Sequence, residues 1–235
     1  NFSNYVRRTN IMLSHLGNSN MTAAEKNHWR AVAYFFHSYW YIELVSRFGD
    51  VPWVNKVLKE NDEEAYGPRI DRKIVADSIM ERLKWAEENI GNFQSKDGAN
   101  TINRDCILAL ISRFGLREGT WRKYHDLGEY QSYLQESVRA SEILMKEYPN
   151  LYKGTDGQPA AGYGEMWTTD DLSKVPGVIL YKQYVPDLAQ HNMCEIERTS
   201  SHYVEMNKNT VNLFLMKNGK PISNVSSGYH GDQTM

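Results

Sequence analysis

The sequence TAAEKNHWRAVAYFFHSYWYIELVSRFGDVP, residues 22–52, predicts one long helix and the turn that ends it. Thr22 and Glu25 form a capping box, in which the threonine hydroxyl accepts a hydrogen bond from the Glu25 amide and the carboxylate accepts one from the Thr22 amide. Gly49, with a proline three residues later, predicts the end of the helix. We therefore expect a helix over residues 22–47, about 40 Å long.

Apolar side chains cover most of the circumference of this predicted helix. A helix with two apolar stripes side by side is contacted by neighbours on several sides, so we expect it to be the central helix of the fold. We also expect its tryptophans and Phe36, together with Trp85 on a later helix, to be core residues that do not bind ligand. The stripes consist of Trp29, Ala33, Phe36, Trp40 and Leu44, and of Val32, Phe35, Tyr39 and Ile42.

Three more stretches have helical periodicity. The first starts at Asp71 and ends at Gly91, the second covers about residues 103–116, and the third about residues 129–148. Helices of this length joined by short loops are typical of antiparallel hairpins of the tetratricopeptide kind. The sequence therefore predicts a mainly α fold built from such hairpins.

From residue 151 onward the helical pattern is lost. Residues 177–184 predict a short strand. Residues 185–203 are polar and aromatic without a period, as irregular binding surfaces often are. An Asn-Gly pair at residues 218–219 predicts a turn. We therefore divide a single, partial domain into a helical frame, residues 1–150, and an irregular, loop-rich ligand-side region, residues 151–235.

Composition and charge exclude several classes of function. The net charge is −2, with 27 basic and 29 acidic residues and no basic block, so we expect no nucleic-acid partner. No apolar run is long enough to span a membrane. The first ten residues lack the features of a signal peptide, which predicts either that there is none or that the chain is a mature or trimmed piece.

We find no sequence motif for catalysis, a metal or a cofactor. His191 and Cys194 are spaced to supply two metal ligands, but a zinc site needs two more from elsewhere. The neighbouring carboxylates at residues 87–88 are typical of a solvated helix face, and those at residues 170–171 of a helix cap or turn. We therefore predict that the protein is not an enzyme and has no catalytic residues, metal or cofactor.

The aromatic residues are better candidates for function. Phe, Trp and Tyr make up 12% of the sequence. A flat indole or phenol ring stacks on the apolar face of a sugar, while its polar tip forms hydrogen bonds. Aromatic residues in predicted loops are therefore the first ligand-binding candidates: Trp53, Tyr66, Trp121, Tyr163, Trp167, Tyr184, Tyr203 and Tyr229.

Four short motifs resemble landmarks of the SusD/RagB-type outer-membrane nutrient-binding lipoproteins. The helix that starts near Ala24 leads to Phe-Gly-Asp-Val-Pro at residues 48–52, as in the family's early helix and turn. Tyr-Gly-Pro-Arg at residues 66–69, Glu-Gly-Thr-Trp-Arg at residues 118–122 and Lys-Asn-Gly-Lys-Pro at residues 217–221 follow in the family's order. The resemblance covers most of the chain and implies a SusD-like fold.

The resemblance also implies a function. Family members are surface-exposed, lipid-anchored proteins of the outer membrane that capture glycans or other nutrients without catalysis. They deliver them to a TonB-dependent, SusC-like transporter, which the tetratricopeptide-like half faces. Family members are longer at both ends, so we expect a fragment that lacks the N-terminal lipid anchor and the C-terminal part. Contact with the membrane is then expected only through that missing anchor.

The resemblance shifts the expected binding site. Motif residues that recur in the family whatever the ligand are expected to form turns, caps and buried ion pairs, which moves Trp121 and Trp167 towards a structural role. The predicted ligand-binding residues are therefore those of the family-variable stretch, with two weaker additions before it. They are Tyr184, Arg198 and Tyr203, with Trp53 and Tyr66.

Two alternative functions stay open from the sequence. The helices over residues 71–148 fit a helical-hairpin adaptor that binds a peptide or protein partner. An α-helical glycosidase would need two carboxylates facing each other across one cleft.

Overall fold

The computed structural model describes residues 2–92, 98, 100–157, 159–198 and 206–231. The described residues contain helices and no strand longer than an isolated bridge, which confirms the predicted mainly α fold. The chain divides into two compact units, Asn1–Tyr181 and Lys182–Met235. The helices are α1 (Phe2–Leu16), α2 (Ala23–Phe48), α3 (Arg72–Asn89), α4 (Arg104–Tyr124), α5 (Tyr130–Glu147), α6 (Pro159–Thr168), α7 (Met193–Arg198) and α8 (Lys208–Asn212), with short 3-10 turns at Glu63–Ala65 and Leu172–Lys174.

Helix α2 begins and ends as its sequence predicts. The Glu25 amide donates to Thr22 Oγ1 at 3.3 Å, and the Thr22 amide donates to Glu25 Oε2 at 2.8 Å. The Thr22 hydroxyl, which donates to the same Glu25 oxygen at 2.7 Å, and the Thr22 amide lower the pKa of the Glu25 carboxyl below its ordinary value. At the other end Gly49 has a positive φ of 70°, and its amide donates to the Val45 carbonyl at 3.0 Å. The capping box and the terminal glycine are therefore both confirmed.

The other long helices of the first unit pack as hairpins. Helix α2 packs against α3, α4 packs against α5, and the two pairs meet where α3 contacts α4. Helix α1 adds a further layer on α2. The core between them includes Ala31, Phe35, Tyr41, Val75, Ile79, Leu83, Ile107, Ile111 and Phe114.

Helix α4 extends well past its predicted end near residue 116. Its two glycines face α5, where a Cβ on Gly115 would lie 2.6 Å from the Tyr133 carbonyl oxygen. A Cβ on Gly119 would lie 2.7 Å from the Leu134 side chain. In this helix glycine therefore serves the close approach of two helices, and the helix continues to Tyr124.

The predicted burial of two aromatic residues on α2 is wrong. Trp29 and Phe36 are 39% and 41% exposed, while Trp40 and Trp85 are half-buried. The buried face of α2 carries Phe35 and Ile42 of the second stripe together with residues outside both stripes, including His37 and Ser38. When most positions of a helix are apolar, periodicity alone does not select the face that is buried.

The predicted strand at residues 177–184 is also wrong. This segment has no strand partner among the described residues, and a side chain takes the place of one. The Tyr181 amide donates to Asn100 Oδ1 at 3.0 Å, and Asn100 Nδ2 donates to the Tyr181 carbonyl at 3.0 Å. Since one side-chain amide satisfies both backbone groups of Tyr181, no ladder is needed there.

The second unit contains short elements held by local hydrogen bonds. The predicted Asn-Gly turn is present, because the Met216 amide donates to the Lys220 carbonyl at 2.9 Å and Gly219 has a φ of 75°. The Asn218 side chain donates to the carbonyls of Ser226 and Ser227, both at 3.0 Å. Side-chain hydrogen bonds therefore stabilise much of the described part of this unit.

Candidate functional site

Tyr184, the first predicted ligand-binding residue, belongs to a small cluster in the second unit. Its ring is 46% exposed. Lys182 Nζ lies 4.8 Å from the centre of the ring, and the His191 imidazole meets the ring edge-on at 4.7 Å. We call these three residues the Tyr184 cluster. It combines a partly exposed ring with a cation and an imidazole, groups that can form hydrogen bonds with the hydroxyls of a polar ligand.

A tight turn builds the Tyr184 cluster. The Val185 amide donates to the Ala189 carbonyl at 2.9 Å, and the Ala189 amide returns the bond at 3.0 Å. Asp187 within the turn has a φ of 64°. This closure brings Tyr184 beside His191, which the sequence interpretation did not identify as a ligand-side residue.

The remaining predicted residues of the second unit are placed differently. Arg198 is exposed and is the last residue of α7. Helix α7 follows the Tyr184 cluster directly, since the Met193 amide donates to His191 Nδ1 at 3.3 Å. Tyr203 lies outside the described residues.

Trp53 lies in the first unit and is half-buried against the frame. The Arg82 guanidinium lies over its ring at 4.7 Å from the centre. Tyr41 contacts the same ring at 4.5 Å and His37 meets it edge-on at 5.0 Å. Trp53 is therefore a packing residue of the frame.

Tyr66, the other addition in the first unit, is 78% exposed. Its hydroxyl donates to the Glu60 carbonyl at 3.1 Å, which ties it to its own loop. The structure thus gives Tyr66 an accessible ring and Trp53 a partly covered one.

Arg82 is a feature that the sequence interpretation missed. Its guanidinium lies between the rings of Tyr34 and Trp53, at 4.8 and 4.7 Å from their centres. No carboxylate lies within 4.0 Å of it among the described residues. One of its nitrogens, Nη1, is buried without a hydrogen-bond partner in the described part of the chain. Burial lowers the pKa of this guanidinium.

The motif at residues 118–122 forms a buried ion network. Arg122 is 1% exposed and its Nε donates to Glu118 Oε1 at 2.8 Å. Arg72 donates to both oxygens of Glu118, at 3.2 and 2.9 Å. Arg122 also donates to Asp77 Oδ1 at 2.8 Å, and Tyr133 donates to the same oxygen at 2.6 Å. This network joins α3, α4 and α5, as expected for a motif residue with a structural role.

The other tryptophans of interest differ in exposure. Trp121 stacks on His125 at 3.9 Å, and Arg72 lies 4.9 Å from its ring centre, so it takes part in packing. Trp167 is 70% exposed and contacts only Tyr163 among the described rings, at 6.1 Å. A structural role is therefore visible for Trp121, while Trp167 presents most of its ring to solvent.

The geometry of the described residues gives no arrangement for metal binding. No three His, Cys, Asp or Glu side chains there come together as metal ligands. The side chain of Cys194, the predicted partner of His191, lies outside the described residues.

Two comparisons with known proteins find SusD-like proteins. A SusD-like family model, described as starch-binding associating with outer membrane, matches residues 3–116. A SusD-like protein from Bacteroides fragilis has a TM-score of 0.61 and 23% identity, with 79% of this chain and 33% of that one covered. A laminarin binding SusD-like protein has a TM-score of 0.53 and 19% identity, over 71% of this chain and 33% of that one.

A third structure extends this likeness. The B. fragilis protein NanU has a TM-score of 0.56 and 16% identity, over 80% of this chain and 35% of that one. The chain therefore spans about a third of the length of the solved structures it matches. No curated protein matches the sequence.

The helical hairpins, the capped long helix and its glycine-proline turn thus define a tetratricopeptide-like frame. The SusD-like structures that the chain is similar to have the same kind of fold.

None of the helices in the described part of the chain combines the length and apolar character that a bilayer-spanning helix requires.

Proposed function

We propose that the protein captures glycan at the cell surface and delivers it to a TonB-dependent, SusC-like transporter of the outer membrane. The observation that carries this proposal is the SusD-like frame, which the family model and the solved structures both support. In this proposal the protein is surface-exposed and held at the outer membrane by a lipid anchor.

The description of the matching family model and the name of one similar structure suggest the first ligands to test. The family is described as starch-binding, and one similar structure is a laminarin binding protein. Starch and laminarin are both glucose polymers, and each glucose ring has an apolar face on which an aromatic ring stacks. A neutral glucan is therefore the ligand class to examine before other nutrients.

The Tyr184 cluster supports the proposal of glycan binding without catalysis. A half-exposed phenol ring offers a stacking surface, and Lys182 and His191 beside it offer hydrogen-bonding groups. We propose Tyr184 as the central contact, with Arg198 and Tyr203 as further contacts on the same unit. Trp53 and Tyr66 remain proposed as weaker contacts.

Buried carboxylates of the frame form ion pairs with arginines, and this supports the proposed non-catalytic role. Glu118 is held by Arg72 and Arg122. Burial alone would raise the pKa of Glu87, but hydrogen bonds and charges from Arg139 and Arg104 together lower it. A glycosidase acid needs a raised pKa to donate its proton near neutral pH, and Glu87 has the opposite shift.

Calorimetry with laminarin and soluble starch tests the proposal on the parent protein and two variants. We expect Tyr184→Ala to lose roughly 1 kcal/mol of binding free energy, or several-fold in affinity, because one stacking ring is removed. Tyr124→Ala is the matched control, since Tyr124 is an exposed tyrosine on α4 outside the Tyr184 cluster. Both variants should keep the melting temperature of the parent.

Each result has a separate meaning. If the parent binds neither these glucans nor any glycan of a wider array, glycan capture is wrong. If the pure protein hydrolyses a bound oligosaccharide, the non-catalytic role is wrong. If Tyr184→Ala binds as tightly as the parent, only the proposed site is wrong. Co-purification with a SusC-like transporter tests the delivery step.

A further inference from the structure

Helices α2 and α4 enclose a groove on the surface of the first unit. Its volume is about 490 Å³. Ile42 and Phe114 form a buried floor, while Tyr39 and Leu116 are exposed on its walls. We call this cavity the α2–α4 groove. An apolar floor with exposed apolar walls is a surface that binds another apolar surface.

One rim of the α2–α4 groove is cationic. Arg113 and Arg117 lie one helical turn apart on α4, and both are exposed. Neither lies within 4.0 Å of a carboxylate among the described residues, unlike Arg104 and Arg122 on the same helix. The α2 side of the groove contributes Glu43, which pairs with Arg47. The groove therefore carries two arginines that form no ion pair with the described part of the chain, and one glutamate that pairs with Arg47.

We propose that the α2–α4 groove binds an amphipathic helix of a protein partner that carries carboxylates along one edge. The lining residues of α4 run from Leu110 to Thr120, which corresponds to about 15 Å or three helical turns. A helix lying in such a groove buries apolar side chains spaced three and four residues apart. Carboxylates on its edge would pair with the two guanidinium groups, each of which can donate two parallel hydrogen bonds.

The chemistry of the groove favours a peptide over a glycan. Its apolar lining consists of Ile42, Leu110 and Leu116 with the rings of Tyr39 and Phe114. Phe114 is buried, so Tyr39 offers the one exposed ring of this lining, where sugar sites use several flat rings and many hydrogen-bonding groups. It also lies in a different unit from the Tyr184 cluster. The inference therefore adds a protein-binding surface to the proposed glycan site and does not depend on it.

Fluorescence anisotropy with a labelled synthetic helix tests this inference. The probe is an amphipathic peptide of about five turns with leucines on one face and glutamates along one edge. A second probe carries lysines in place of the glutamates. We expect the acidic peptide to bind, the lysine peptide not to bind, and the affinity to fall as salt is raised.

Charge-reversal variants locate the binding. Arg113→Glu with Arg117→Glu should weaken the acidic peptide by roughly tenfold or more, because attraction becomes repulsion. Arg8→Glu with Arg69→Glu is the matched control, since both arginines are exposed in the first unit and neither lines the groove. Leu116→Ser tests the apolar wall and should also weaken binding, while circular dichroism checks that each variant is folded.

Several outcomes would overturn the proposal. The proposal is wrong if the acidic peptide does not bind, or if the Arg113→Glu, Arg117→Glu variant binds it as tightly as the control variant does. If sedimentation showed a dimer that the same variant abolishes, a second copy of the chain would be the occupant. Competition by laminarin would make the occupant a glycan. A loss of glycan binding in Tyr184→Ala with peptide binding unchanged is expected, because the two surfaces are independent.

Discussion

Two arginines inside the helical frame are stabilised in opposite ways. Arg122, on the α4–α5 hairpin, is surrounded by carboxylates, with Glu118 and Asp77 at 2.8 Å. Arg82, on the α2–α3 hairpin, lies between the rings of Tyr34 and Trp53. Arg122 thus has carboxylate partners in addition to the Tyr133 ring, 4.4 Å from its guanidinium, whereas Arg82 has aromatic faces and no carboxylate within 4.0 Å among the described residues.

The two environments determine what each hairpin loses when its arginine is removed. Taking the Arg122 guanidinium away leaves the buried Glu118 with Arg72 as its remaining counter-ion, and the loss of charge compensation is costly in a low-dielectric interior. Taking a guanidinium away from two rings leaves neutral apolar surfaces that a methionine side chain can cover. The α4–α5 hairpin should therefore be far more sensitive to loss of its buried arginine.

The largest expected effect is that of Arg122→Met. We expect the free energy of unfolding to fall by about 3–5 kcal/mol, because the variant removes one partner of a buried pair. Arg104→Met is the matched control on the same helix, where a half-exposed arginine pairs with Glu87 at 2.9 Å. The control should lose less than about 1 kcal/mol. Urea unfolding of both variants measures the difference, and equal losses would contradict the comparison.

A second test uses pH and the histidine next to Arg82. Burial, followed by the nearby charge of Arg82, lowers the pKa of His37 to about 3. The unfolded chain therefore binds more protons than the folded chain below about pH 6.5, so stability falls as the pH drops from there towards 3. The expected contribution is about 1 kcal/mol per pH unit.

His37→Gln should remove this part of the pH dependence. A glutamine does not titrate, and its amide can still donate towards the Val54 carbonyl, which His37 Nε2 contacts at 2.9 Å. His15→Gln, at an exposed position on α1, is the control and should keep the parent slope. Urea unfolding at pH values between about 6.5 and 4.5 measures the slope. An unchanged slope in His37→Gln would show that His37 is not held neutral.

The hairpins themselves were predictable from sequence because their signals are local. The capping box at Thr22 and the cap at Asp71 lie within three residues of the amides they bind. Side-chain caps of this kind are encoded by adjacent residues, so the starts of α2 and α3 could be predicted without the fold.

The contacts that hold the hairpins together were not predictable in the same way. Trp53 and Arg82 meet only after α2 and α3 pack, and the two partners of the Asn100–Tyr181 hydrogen bonds are 81 residues apart. The position of Tyr184 as a partly exposed ring fits its prediction as a ligand-binding residue, and its role stays a prediction. His191 was missed because only the turn between Val185 and Ala189 brings it close to Tyr184, and a histidine by itself does not mark a binding surface.

The smallest expected effect is that of Arg82→Met, and it tests the aromatic half of the comparison. The variant loses two cation–π contacts of about 0.5–1 kcal/mol each, but it also removes a buried nitrogen that has no hydrogen-bond partner. These changes have opposite signs, so the free energy of unfolding should change by no more than about 1 kcal/mol. A double-mutant cycle with Trp53→Leu isolates the contact between the guanidinium and the indole, and we expect a coupling of about 0.5–1 kcal/mol. A loss as large as that of Arg122→Met would mean that Arg82 is stabilised by a charged partner, and the contrast between the two hairpins would then be wrong.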